Sequence, residues 1–167
     1  MTKRTLKLSL NNILEHLQRH SLDAQVQEEH GQIFLNFRIE GKEFPLFIKL
    51  DPQERLLQLL LFLPCALIPT AAGDLARLLL YINKEVDMPG FGMDEGNRII
   101  FYRCTIPTMD GRLDPDVLDN FLYLMPRISH LFLTTIATVA AGLRFESSLP
   151  QIQKLLKQLS TPPGAPQ

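Results

Sequence analysis

The sequence has little of what most enzyme and cofactor signatures are built from. Its 167 residues include two cysteines, Cys65 and Cys104, far apart and in no C-x-x-C arrangement. That leaves out a thiolate zinc site and a dithiol redox centre, and fits a reducing cytoplasm. No G-x-x-x-x-G-K-[ST] occurs, and Gly90-Phe91-Gly92 lacks the third glycine and following helix of a dinucleotide site, so phosphate binding has no support. Charge of neither sign is in excess: 17 basic against 18 acidic residues leave a net charge of −1. No nucleic acid or anionic membrane surface is selected by such a balance. Long hydrophobic runs are missing too. Residues 131–143 contain three threonines and fall short of the ~20 residues a helix needs to span a bilayer. The start Met1-Thr2-Lys3-Arg4 is basic, but Lys7, Ser9, Asn11 and Asn12 interrupt any apolar core of a signal peptide.

Titratable residues offer no recognisable catalytic set. His16 and His20 stand four apart, a helical spacing that can hold a metal, but the glutamate of H-E-x-x-H is missing and the sequence shows no third ligand. His30 and His130 read as a turn residue and a polar-face residue, with no nucleophile beside either. Asp110, Asp114, Asp116 and Asp119 are dense, yet capping and solvation account for them, and the calcium-loop pattern is not matched. The expectation is a protein without catalytic residues, metal or cofactor, whose function is binding.

What is present is clean patterning in a chain long enough for one domain with a substantial core. Leu10, Ile13, Leu14 and Leu17 form one stripe of a first helix, with Ser9 as its cap and an end near His20-Ser21. Two alternating strands follow, one with Ile33, Leu35, Phe37 and Ile39 inward, the other with Phe44, Leu46, Ile48 and Leu50. His30-Gly31 and Glu40-Gly41-Lys42 mark turns where glycine supplies positive φ. Residues 22–28 make a weaker first strand, so the group reads as an antiparallel meander. Residues 55–63 are bounded by Asp51-Pro52 and Pro64 and read as a strand apolar on both faces: Leu57, Leu59, Leu61 and Leu63 on one, Leu56, Leu60 and Phe62 on the other.

A helix over residues 70–86 aligns Leu75, Leu78, Leu79, Ile82 and Val86, and Leu80 and Tyr81 widen its apolar arc beyond what one buried face needs. A hairpin turns at Glu95-Gly96-Asn97, and its second strand again has apolar residues on both faces. Asp114 as cap, Pro115 at the first helical position and Asp116 then start a long helix with Phe121, Leu124, Ile128, Leu131, Thr135 and Val139 along one side. Pro126 predicts a kink or break in it, and Gly142 a stop. Pro150 opens a short amphipathic helix with Ile152, Leu155, Leu156 and Leu159. The domain is expected to occupy residues 1–146, that helix 147–160, and a disordered Pro/Gly tail 161–167.

The order α-β-β-β-(β)-α-β-β-α, an α+β arrangement of an antiparallel sheet with flanking helices plus a short C-terminal helix, resembles the type III secretion chaperone-like fold. Two groups share that fold. In the YbjN-like family of sensory-transduction regulators, a helix ends in a leucine- and asparagine-containing turn. A glycine-aromatic strand, an acidic-glycine turn, an apolar strand and a long last helix follow it. Here residues 79–83, Gly90-Phe91, Asp94-Glu95-Gly96, residues 98–102 and 118–142 stand in those places.

The second group is the small homodimeric chaperones of type III secretion, which the chain resembles in size, cytoplasmic character and Pro/Gly-rich tail. That resemblance implies Leu80, Tyr81, Phe101 and Tyr102 at a dimer interface. It implies Phe34, Phe47, Leu56, Leu60 and Phe62 as the surface that holds an extended segment of a secreted effector. The leading expectation is a homodimer that keeps the N-terminal segment of effectors partly unfolded, with its last helix docking into the groove that cargo uses. The alternative is a YbjN-like sensory or regulatory module that binds a protein without chaperone activity. Neither implies nucleic acid or insertion into a membrane.

Overall fold

The computed structural model describes residues 5–53, 55–108 and 110–160; the tail expected at 161–167 lies outside them. Ser9 starts the first helix, α1 (Leu10–Arg19), its hydroxyl accepting the Asn12 amide at 3.2 Å. The meander follows as β2 (Ala24–Gln27), β3 (Gln32–Ile39), β4 (Lys42–Leu50) and β5 (Leu56–Ala66), preceded by a two-residue β1 (Leu6–Lys7). Between β3 and β4, Glu40 and Gly41 both have positive φ, 48° and 76°. That is the type I′ two-residue loop whose twist matches a hairpin.

The rest of the chain runs α2 (Ala72–Glu85), β6 (Phe91–Asp94), β7 (Ile99–Pro107), a two-residue β8 (Arg112–Leu113), α3 (Pro115–Ala140) and α4 (Phe145–Ser160). Six strands form one antiparallel sheet in the order β2-β3-β4-β5-β7-β6, while β1 pairs with β8 apart from it. Because side chains alternate across a strand, one sheet face collects Ile33, Leu35, Phe44, Leu46, Ile48, Leu57, Leu59, Leu61, Ile100 and Tyr102, all buried. The helices pack on that face. α3 lies against β5, β3 and β7, α1 against β2 and β3, and α2 beside β6 and α3.

Three helical details depart from expectation. α3 runs unbroken from Pro115 to Ala140 with Pro126 buried inside it. Its buried stripe is Leu118, Leu122, Met125, Ser129, Phe132 and Ile136, while Phe121, Leu124, Ile128 and Leu131 stay partly exposed. Several apolar residues compete for the inner face along so apolar a helix, and packing against the sheet decides between them. Gly142, at φ 112°, ends α3 with the paired bonds Leu143 N–H to Thr138 C=O and Gly142 N–H to Val139 C=O, a Schellman stop. α4 begins at Phe145, so Pro150 lies within it and the boundary expected after residue 146 falls inside the helix.

α4 covers part of the wide arc of α2, at Tyr81, and leaves Leu80 exposed. It packs on α2 and α3, burying Phe145, Ile152 and Leu155 in the common core. Phe145 meets the Tyr81 ring at 6.2 Å and the Arg77 guanidinium at 4.5 Å, and its amide donates to Asp74 at 3.2 Å. The groove expected to hold cargo is on the opposite face of the sheet, so α4 does not occlude it.

Candidate functional site

The outward face of the sheet keeps an apolar strip that none of the described elements packs against. In register across the strands, Phe34 pairs with Phe47, Phe47 with Leu60, and Phe62 with Phe101. The rings touch: Phe34 to Phe47 at 5.2 Å and Phe47 to Phe62 at 5.5 Å, the second edge-on. All five side chains are partly exposed, and none belongs to the core cluster or packs against it. Arg38, paired with Glu43 at 3.0 Å, and Lys49 and Arg103 stand at the margins of this strip.

Of the residues expected to hold an extended segment, Phe34, Phe47, Leu60 and Phe62 therefore come together. Leu56 is on the same face and 42% exposed, but lies four residues along β5 from Leu60, about 13 Å at strand rise. The four residues expected at a dimer interface do not share a surface. Leu80 is 72% exposed on α2, and Tyr81 is half-covered by Phe145 of α4. Phe101 points to the open sheet face. Tyr102 is 0% exposed and cannot meet a partner subunit: it stacks on Phe91 at 4.4 Å, and its hydroxyl donates to the Met88 carbonyl at 2.5 Å. The two apolar faces of β7 are thus one core face and one open face.

The glycine-aromatic motif proves to be scaffold. Asn83, at the end of α2, accepts from the Gly90 and Phe91 amides at 3.1 and 3.0 Å and donates to the Phe91 carbonyl at 2.8 Å. A Cβ on Gly90 would come within 2.1 Å of the Arg103 carbonyl oxygen, and one on Gly92 within 2.8 Å of the Phe101 ring. Both glycines are needed for close approach of β6 to β7. In the turn, Asp94 accepts from the Asn97 amide and side chain at 3.0 and 2.8 Å, and these bonds hold its carboxyl below the usual range.

A second cluster lies on the helical side. His16 Nε2 is 2.6 Å from Asp119 Oδ1, and His20 Nε2 is 3.6 Å from Asp119 Oδ2. The third group that the histidine pair lacks in sequence thus comes from α3, and Asp119 serves more than solvation. Next to it, an open cleft of about 620 Å³ runs between α1, the β3–β4 hairpin and α3, with Phe37, Arg38, Tyr123 and Arg127 in its walls. Sequence reasoning missed this cluster because its partners are 103 residues apart. The His-x-x-x-His spacing was the one available signal.

An α+β protein with helices on one sheet face and an aromatic strip on the other is the class these features define. A sequence model of the YbjN family, "Putative bacterial sensory transduction regulator", matches residues 9–137. The chain belongs to that family. Its fold is similar to a solved structure described as "Crystal structure of YbjN, a putative transcription regulator from E. coli". The TM-score is 0.58 at 13% identity, covering 89% of this chain and 96% of that one. No curated protein matches the chain. Type III secretion specificity, the leading expectation, finds no support in these matches. Among the described residues no helix is long and apolar enough to cross a membrane.

Proposed function

We propose that the chain is a non-enzymatic regulatory module that binds another protein through the open face of its sheet, without chaperone activity. The observation that carries this is the contiguous strip Phe34–Phe47–Phe62 with Leu60, left partly exposed on a sheet whose other face carries the core. A folded domain does not keep several clustered aromatics at its surface for its own stability, and such patches mark interaction sites. The partner that fits is a folded protein presenting apolar anchors flanked by acidic side chains, complementary to Arg38, Lys49 and Arg103 at the margins. The free thiols Cys65 and Cys104 suit work in a reducing cytoplasm.

A photo-crosslinking residue at position 47, compared with one at the exposed Lys154, tests this in the native host. The expected result is an adduct with a folded domain from position 47 alone. With the purified partner, Phe47→Thr and Phe62→Thr, which keep strand preference, should each weaken binding by about 2 kcal/mol, roughly thirty-fold. Adducts only with a second copy of the chain would make the strip a self-interface. Adducts confined to an extended N-terminal segment of a secreted protein would restore the chaperone reading. Either result overturns the proposal.

A further inference from the structure

The geometry points to a divalent-metal site formed by His16, His20 and Asp119, and we propose that it binds a borderline first-row cation of the zinc type. His16 projects from the last turn of α1, His20 caps that helix four residues on, and Asp119 reaches them from α3. One ligand atom from each of the three lies within 4.8 Å of the others. Metal–ligand bonds of ~2.0–2.2 Å place the donors of a tetrahedral site about 3.3–3.6 Å apart. The two histidines meet different oxygens of Asp119: His20 Nε2 is 3.6 Å from Oδ2, which already meets that figure, and His16 Nε2 is 2.6 Å from Oδ1 as a hydrogen bond. When the ion replaces the bridging proton, the carboxylate turns to face it, the His16 contact opens by about 0.7–1.0 Å, and the widest pair of the set, up to 4.8 Å apart, closes by about 1.2–1.5 Å.

Exposure suits binding as well as geometry does. The His16 side chain is 10% exposed and fixed, Asp119 is 34% exposed, and His20 is 52% exposed, so it can close on an arriving ion. A cavity of about 340 Å³ opens on the cluster, leaving room for water as a fourth ligand, and Asp116, one turn before Asp119, also lines it. The cation in that cavity, Arg19, is turned to Glu15 at 3.3 Å. Two imidazoles with one carboxylate select zinc, cobalt, nickel or iron(II) over magnesium and calcium, which prefer all-oxygen sites. A bound ion would clamp α1 to α3 beside the open cleft. This inference does not rest on the sheet-face reading, because the cluster lies on the other side of the sheet.

Untagged full-length protein titrated with zinc chloride by calorimetry, in excess magnesium, is the test. Cobalt(II) absorption in the visible range reports imidazole and carboxylate ligation. One ion per chain is expected. His20→Ala and Asp119→Asn should each weaken zinc at least about tenfold, and His30→Ala, remote from the cluster, should not. Because His20 is half-exposed, His20→Ala should leave the metal-free thermal midpoint unchanged, which separates loss of a ligand from loss of fold. No zinc uptake up to about 1 mM, or variants that bind as tightly as wild type, would overturn the site and leave His16–Asp119 as a helix-to-helix hydrogen bond.

Discussion

Asn83→Ala removes three hydrogen bonds at once and should be among the most damaging single changes at a partly exposed position. Asn83 ties the start of β6 to the end of α2 through the Gly90 amide, the Phe91 amide and the Phe91 carbonyl. Each such bond contributes about 1 kcal/mol net. β6 is an edge strand, so water can reach some of the abandoned groups, and the expected loss is about 2–3 kcal/mol. For a chain of this size that lowers the thermal midpoint by about 4–12 °C. Asn83→Asp should fall between, because a carboxylate still accepts both amides but turns an acceptor toward the Phe91 carbonyl. Chemical denaturation of the three proteins measures the ranking, and amide exchange at Gly90 and Phe91 should accelerate in Asn83→Ala first. A loss below about 0.5 kcal/mol in Asn83→Ala would mean that β6 is held by its pairing with β7, and the role assigned to Asn83 would be wrong.

Gly90→Ala should cost at least about 2 kcal/mol in denaturant melts, because its new methyl meets the Arg103 backbone rather than a movable side chain. Gly73→Ala, in α2 with nothing within 4 Å, should instead gain up to about 1 kcal/mol. Truncating α4 before Phe145 should destabilise the chain by uncovering Tyr81 and the α2–α3 groove, and should not raise affinity at the sheet face, as binding to the crosslinked partner would show. Burial pushes the Cys65 and Cys104 thiols up to about 11 from an ordinary 9. The unfolded chain therefore loses these protons first, and stability should fall as pH rises from 9 to 11. Replacing both cysteines by alanine should flatten that alkaline fall in a series of melts.

Local patterning made much of the fold legible. The Ser9 cap, the alternation of β3 and β4, the Glu40-Gly41 turn and the Asp114-Pro115 helix start are decided by a few neighbouring residues, and each stands where its sequence signal falls. Where the sequence is apolar in all directions, patterning stops being informative. On α3 the stripe through Phe121 and Leu124 and the stripe through Leu118 and Leu122 both have helical spacing, and only the sheet distinguishes them. The width of α2 calls for cover by a loop or a second subunit, and α4 of the same chain supplies it at Tyr81 while Leu80 stays exposed. Tyr102 stands on a strand apolar on both faces, and strand parity alone leaves open which face is core.

The stretch that carries the family resemblance is also the one whose side chains are most fully engaged within the chain. Asn83 holds β6, Gly90 and Gly92 admit β7, Phe91 stacks on Tyr102, and Asp94 closes the turn. Groups already committed to these bonds and contacts have little left to offer a partner, so the motif specifies the scaffold and not the recognition. What remains accessible lies elsewhere: the aromatics of β3, β4 and β5 on the open face, and the half-exposed His20 beside the His16–Asp119 hydrogen bond where α1 meets α3. Neither set forms a sequence motif, because each is assembled from distant segments by the sheet register or by helix packing. Recognition by this chain is therefore to be sought in residues that the fold brings together from distant segments rather than in the family motif.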